Sequence, residues 1–331
     1  MVISQRRLSV VTRPKQAAEI QEPMTVAWAI EAYSYAVLSL SAETQKWYLQ
    51  KLQVFSDWCT EKNLTLDTLK VLHLRQFTEH LKTRTNPQTG KPLSTYTQHG
   101  YTQVVKSFLN WCSNEEDLED VVNEKLAKRM PMTKVDKKVI EIFTPDQIRA
   151  LFEACKNEYN EEMIQRDKAI LAVLFDTGIR ASELCGLTLD HVYLSKSESY
   201  LKVFGKGNKW REVPLGNNSK AAVHKYIHRY RDATNQEGRV FLSRAGKPMT
   251  ASGLLQLFER LGDWGHVRGV RCSPHTARHT FAVTFLTNGG DLYKLSRLMG
   301  HTSVMVTENY LRAFQAKDAR NVDSVLDSLK R

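Results

Sequence analysis

Apolar residues recur every three or four positions along most of the chain. Behind Ser41, a residue suited to capping a helix, Trp47, Tyr48, Leu52, Phe55 and Trp58-Cys59 fall on one stripe. Leu74, Phe77 and Leu81 mark a second. A polar turn from Thr85 to Pro92 leads to Ser94 and Thr97, which open a helix carrying Tyr101, Val104, Val105, Phe108 and Trp111. The spacing predicts a compact bundle of four or five helices within residues 24–124, its aromatic side chains in the core rather than stacked on bases.

A second half begins at Thr144-Pro145-Asp146-Gln147, where Thr144 can cap, Pro145 suits the first helical position and Gln147 can complete a capping box. Ile148, Leu151, Phe152 and Cys155 form its buried stripe, and the apolar helix Ala169–Phe175 stops at Gly178, which can adopt positive φ. Tyr200–Phe204 and Trp210–Leu215 read as two strands around Gly205–Lys209, a hairpin with Lys206 at its tip. Helical spacing returns at Ala222–Tyr230 and Leu254–Leu261, and Ser273-Pro274 opens a further helix. Residues 143–331 therefore read as a mainly α domain with one small antiparallel sheet.

Between the halves, residues 125–142 are basic and broken by proline, as expected of a linker. Such a segment is either a solvated hinge or a strap along a phosphate backbone, and its charge favours the strap. Residues 1–23 carry Arg6, Arg7, Arg13 and Lys15 with few large apolar groups, an arm that either touches DNA or is simply solvated. After Tyr310, Val322, Val325, Leu326 and Leu329 sit at helical spacing in a C-terminal tail.

Composition narrows the functional classes. The 331 residues suffice for two domains of ordinary size, and 47 Lys+Arg against 36 Asp+Glu give a net charge of +11, which attracts a polyanion at long range. Charge alone does not single out nucleic acid. The five cysteines are scattered and form no Cys-x-x-Cys pair, so neither a disulfide framework nor a structural zinc site is expected. No apolar run approaches the roughly 20 residues that span a bilayer, and the N-terminus lacks the hydrophobic segment of a secretory signal. A cytoplasmic location without membrane association is expected.

The candidate chemistry lies at Thr177-Gly178-Ile179-Arg180, His275-Thr276-Ala277-Arg278, Gly300-His301 and Tyr310. His275 and Arg278, three apart, share a face near the positively polarised start of the helix opened by Ser273-Pro274, where a phosphate would be favoured. Phosphoryl transfer spreads negative charge over the equatorial oxygens of its transition state, and arginine forks can grip two of them. Alone, a His-x-x-Arg pair says little, and a lone helix tyrosine is most often half-buried structure. The signal is the company these residues keep. The two histidines have no cysteine or paired carboxylate beside them to complete a metal site, and no cofactor is expected. His279 reads as a packing residue able to reach the site edge, while His191, His224, His228 and His266 have no evident partners.

In order and interval these residues resemble the catalytic domain of the tyrosine recombinase (phage integrase) family across residues 144–315. More loosely, the first half is similar to the helical, SAM-like core-binding domain that precedes it. The resemblance implies that Tyr310 is the nucleophile, leaving a 3′-phosphotyrosyl enzyme and a free 5′-hydroxyl. It gives Arg180 and Arg278 the non-bridging oxygens, His275 the tyrosine proton or a phosphate hydrogen bond, His301 a further donor and Lys206 the role of general acid. Glu183 matches an acidic position that orients the basic groups. It further implies double-stranded DNA as substrate, a homo-tetramer on two DNA sites with exchange of C-terminal tails, and room for an accessory factor or partner recombinase. A phenol with a pKa of roughly 10 needs such a cationic field to attack, and as a good leaving group it lets a new 5′-hydroxyl reseal the strand without ATP.

The expectation is thus a site-specific recombinase or integrase of a mobile element, acting without metal or ATP. A type IB topoisomerase-like enzyme shares the chemistry, but this chain is short and its first domain helical. A DNA-binding regulator with vestigial residues would not need the whole set.

Overall fold

The computed structural model describes residues 24–135, 141–205, 209–231, 238–301 and 304–311. The N-terminal arm, Lys206, part of the linker and the tail beyond Leu311 lie outside those residues. The chain divides into two compact units, Met1–Lys137 and Lys138–Arg331. Among the described residues no helix is long and apolar enough to cross a membrane.

The first unit contains α1 (Val26–Ala36), α2 (Ala42–Glu61), α3 (Val71–Thr83), α4 (Thr95–Cys112) and the short α5 (Glu124–Lys128). Ser41 and Ser94 accept from the backbone N–H groups of Thr44 and Thr97, satisfying donors that a helix start leaves unpaired. Phe55, Trp58 and Phe77 pack edge-on and tilted at the core, with the Phe55 and Phe77 ring centroids 4.9 Å apart. Each such ring contributes about 2–3 kcal/mol by leaving water. Trp47 departs from the expected core stripe. It is 39% exposed, with Lys51 Nζ 4.6 Å above its ring, because it lies on the α2 face turned away from Leu52 and Phe55.

The second unit begins with α6 (Pro145–Ala154), α7 (Glu161–Thr177) and α8 (Ala181–Gly186), followed by strands β1 (Val192–Leu194), β2 (Ser199–Gly205) and β3 (Lys209–Pro214). The capping box forms in full: Thr144 Oγ1 accepts from Gln147 N, and Gln147 Oε1 accepts from Thr144 N. The sheet is antiparallel in the order β1-β2-β3, with Leu201 opposite both Val192 and Val213. Strand β1 was not foreseeable from alternation, since it has only three residues. Helix α9 (Asn217–Lys225) continues through a π-helical turn, and α10 (Ala251–Trp264), α11 (Pro274–Thr287), α12 (Leu292–Met299) and α13 (Val304–Leu311) complete the unit. The main core joins α6, α7, α10 and the inner face of the sheet; a smaller cluster of Ala282, Val283, Leu295, Met299 and Tyr310 ties α11, α12 and α13 together.

Candidate active site

Helix α12 ends at Gly300, which takes the left-handed conformation (φ 62°) and stops the helix. The last carbonyls of any helix lack internal partners and carry partial negative charge. Here three consecutive ones are each taken by a different arginine. Arg211 Nε donates to Leu298 O at 2.7 Å, Arg278 Nη2 to Met299 O at 2.8 Å and Arg180 Nη2 to Gly300 O at 2.9 Å. Three guanidiniums from β3, α11 and the start of α8 thus converge on one helix end.

Each arginine reaches it by a different local device. Gly178 ends α7 in the left-handed conformation, so the chain reverses and Arg180 becomes the residue preceding α8. The Gly178 carbonyl then accepts from Arg278 Nη1 at 2.6 Å. Ser273 caps α11 and Pro274 occupies its first turn, which sets Arg278 facing inward at 5% exposure while His275 stays exposed. Glu183, 4% exposed, accepts from Arg180 N and Nη1 at 2.7 and 2.9 Å and from both Nη atoms of Arg211 at 2.8 Å. Burial alone would raise the Glu183 pKa, but the hydrogen bonds and charges of Arg211 and Arg180 hold it below the ordinary value.

One carboxylate therefore serves a group of three guanidiniums, and the surplus positive charge governs its neighbours. Burial, then the charges of Arg278, Arg180 and Arg211, push His301 down to about 4. Its Nε2 lies 3.0 Å from Arg278 Nη2, which can only donate, so Nε2 accepts and Nδ1–H donates to Thr307 Oγ1 at 2.8 Å. Tyr310 is 5% exposed, its ring 6.3 Å from that of His301 and 5.3 Å from that of His279. Burial raises the phenol's pKa, opposed by the charge and hydrogen bond of Arg278 and by the charge of Arg180. His275 stacks edge-on against His279 at 4.1 Å, and partial desolvation together with Arg278 and Arg271 lowers its pKa.

Arg180, Glu183, His275, Arg278, His301 and Tyr310, separated by up to 130 residues in sequence, are thus gathered at one place within a single chain. Lys206 lies outside the described residues. Two participants escaped the sequence reading. Arg211 carried a signal, since Trp210 and Glu212 point outward and put it on the inner face with Val213, where an arginine is unusual. Thr307 carried none. His279 reaches the site, as its position one residue after Arg278 suggested, and its Nδ1 is buried with no hydrogen-bond partner among the described residues. His191, without an evident partner in the sequence, pairs with Thr188 Oγ1 at 2.6 Å and lies against Trp210.

A cavity of about 360 Å³ opens beside this cluster, lined by Lys209, Arg211, Arg297 and His301 among others. Its cationic lining suits an anion.

Known proteins fit this picture. The phage integrase family model matches residues 141–317. The chain is 29% identical over 262 residues to the tyrosine recombinase XerD of Oceanobacillus iheyensis, covering 78% of this chain and 82% of that one. Among solved structures, the XerH site-specific recombinase bound to palindromic difH substrate superposes with a TM-score of 0.70 at 17% identity, covering 92% of this chain and 85% of that one. The Tn1549 transposon integrase in complex with a circular intermediate DNA gives 0.70 at 19% identity, covering 92% and 99%.

Proposed function

The chain belongs to the phage integrase family and is a tyrosine recombinase, and from that premise we propose that it exchanges DNA strands at specific sites for a mobile element through a 3′-phosphotyrosyl intermediate. The observation that carries this reading is the set of arginines anchored on helix-end carbonyls beside a tyrosine in the same chain. Carbonyls hold a guanidinium in place without neutralising it, so its charge remains available to a phosphate. Among the described residues, the Nε–H of Arg180 is uncommitted, and its side chain is 29% exposed.

In the proposed reaction Tyr310 Oη attacks the scissile phosphorus and gives its proton to His275. Arg180 and Arg278 stabilise the charge that builds on the non-bridging oxygens. Lys206 protonates the departing 5′-oxygen. An arriving phosphate competes for Arg278 Nη2 and its negative charge raises the His301 pKa, so that Nε2 gains the proton it needs to donate in turn. No step calls on metal or ATP, because the phosphotyrosine bond keeps the energy of the broken linkage until a 5′-hydroxyl from another strand reverses the attack.

We assign the helical bundle of residues 24–124 to DNA binding, with residues 125–142 as a strap along the backbone and residues 143–331 as the catalytic domain. A tetramer on two DNA sites, coupled by exchange of C-terminal tails, is what the family resemblance implies, and it gives each of the four exchanging strands one protomer. A cytoplasmic location fits that substrate. The experiment is exchange between two labelled duplexes carrying the DNA segments that flank the gene. Recombinant products that form with EDTA present and without ATP are expected; relaxation of supercoiled DNA with no exchange would contradict the proposal.

A further inference from the structure

We infer that Arg211 positions the phosphate clamp, an inference that rests on the recombinase reading above. Each of its three guanidinium nitrogens donates to the protein. Both Nη atoms donate to Glu183 at 2.8 Å and Nε donates to Leu298 O at 2.7 Å, and the side chain is only 14% exposed. It is thus a positioning residue rather than a group that grips the phosphate.

What Arg211 holds is the support of the other two arginines. Glu183 binds Arg180 through both its backbone N–H and Nη1, so fixing both Glu183 oxygens fixes the direction from which Arg180 approaches. Leu298 O lies on the same helix end as the Met299 and Gly300 carbonyls that anchor Arg278 and Arg180. The backbone leaves space for this guanidinium on two sides. A Cβ at Gly300 would stand 2.9 Å from Arg211 Nη1, and one at Gly205 would stand 3.0 Å from Arg211 Nη1 and 3.0 Å from Glu183 Oε1. Lysine keeps the charge but has no fork, so it cannot span two carboxylate oxygens and a carbonyl together.

The test uses the full-length protein on a nicked duplex bearing its own site, with the scissile linkage either an ordinary phosphate or a neutral methylphosphonate. Less charge develops on the neutral linkage, so correct placement of the clamp matters less there. For Arg211→Lys, adduct formation on the phosphate should fall on the order of a hundredfold, as for a modest misplacement of the reacting groups, and the deficit should shrink to roughly tenfold or less on the methylphosphonate. DNA affinity should change by no more than about twofold. Arg180→Lys should show the same selective recovery. An equal loss on both linkages, or phosphate cleavage within about threefold of wild type, would overturn the inference. If Arg211→Lys fails to fold, Arg211→Gln, for which the same loss on phosphate and the same recovery on methylphosphonate are expected, carries the comparison. Wild-type protein that forms no adduct on either linkage would overturn the recombinase reading itself and this inference with it.

Discussion

The second unit contains two networks of arginines around buried carboxylates, and they differ in what they leave over. In the first, Glu183 binds Arg180 and Arg211 while Arg278 is held by carbonyls of Gly178 and Met299. In the second, Glu158 pairs with Arg244 and Arg260, and Asp167 pairs with Arg166, whose Nη1 also donates to Leu242 O at 3.0 Å. Both carboxylates of the second network have fully buried side chains. That network fastens the fold by matching most charges with charges. The first fastens its arginines partly to dipoles, which leaves a positive surplus beside three histidines and a tyrosine. Burial of ion pairs is common to both; the unneutralised excess marks the site that awaits an anion.

The comparison is broken most strongly from the fastening side. Glu158→Ala should lower stability by about 3 kcal/mol, the low end for a disrupted buried pair because Arg244 and Arg260 can reach water. Urea unfolding measures it, and the folded fraction should cleave DNA normally. Arg180→Lys should do the converse: cleavage falls about a hundredfold, roughly 2.7 kcal/mol of barrier, with the unfolding midpoint little changed. Should Glu158→Ala abolish cleavage in folded protein, or Arg180→Lys mainly unfold it, the division of labour between the networks is wrong.

The smallest effect concerns pH. Burial, reinforced by Glu158 and opposed by Arg166, pushes Asp167 up to about 6 from an ordinary 3.8. An acid whose folded pKa is raised is stabilising while protonated, and that contribution is lost as pH climbs from about 4 through 6. Asp167→Asn, which still accepts from Arg166, should flatten the dependence of melting temperature on pH over that interval. An unchanged slope would mean that Asp167 is ionised throughout.

Much of the scaffold was legible because its signals are local. Ser41, Ser94, Thr144 and Ser273 cap helices through side chains within three residues of their partners, and Gly178 stops α7 by its own conformational freedom. The gathering of Arg180, Arg278, His301 and Tyr310 was legible only as a resemblance, since no local rule brings residues 130 positions apart together. Strand alternation puts Arg211 on the inner face of β3, but its partners, like those of Thr307, are fixed by tertiary packing, which spacing does not encode. The same holds for Arg166 and Asp167, adjacent charges buried within α7, and for Trp47, whose helical phase puts it outside the core.

The central claim is that Tyr310 attacks a phosphate held by Arg180 and Arg278 of the same chain. Its most direct test incubates the protein with a nicked suicide duplex in EDTA and maps the covalent adduct by mass spectrometry of the digested complex. The account predicts a 3′-phosphotyrosine on the peptide containing Tyr310, absent in Tyr310→Phe. An adduct on any other residue, or one that persists in Tyr310→Phe, would contradict it.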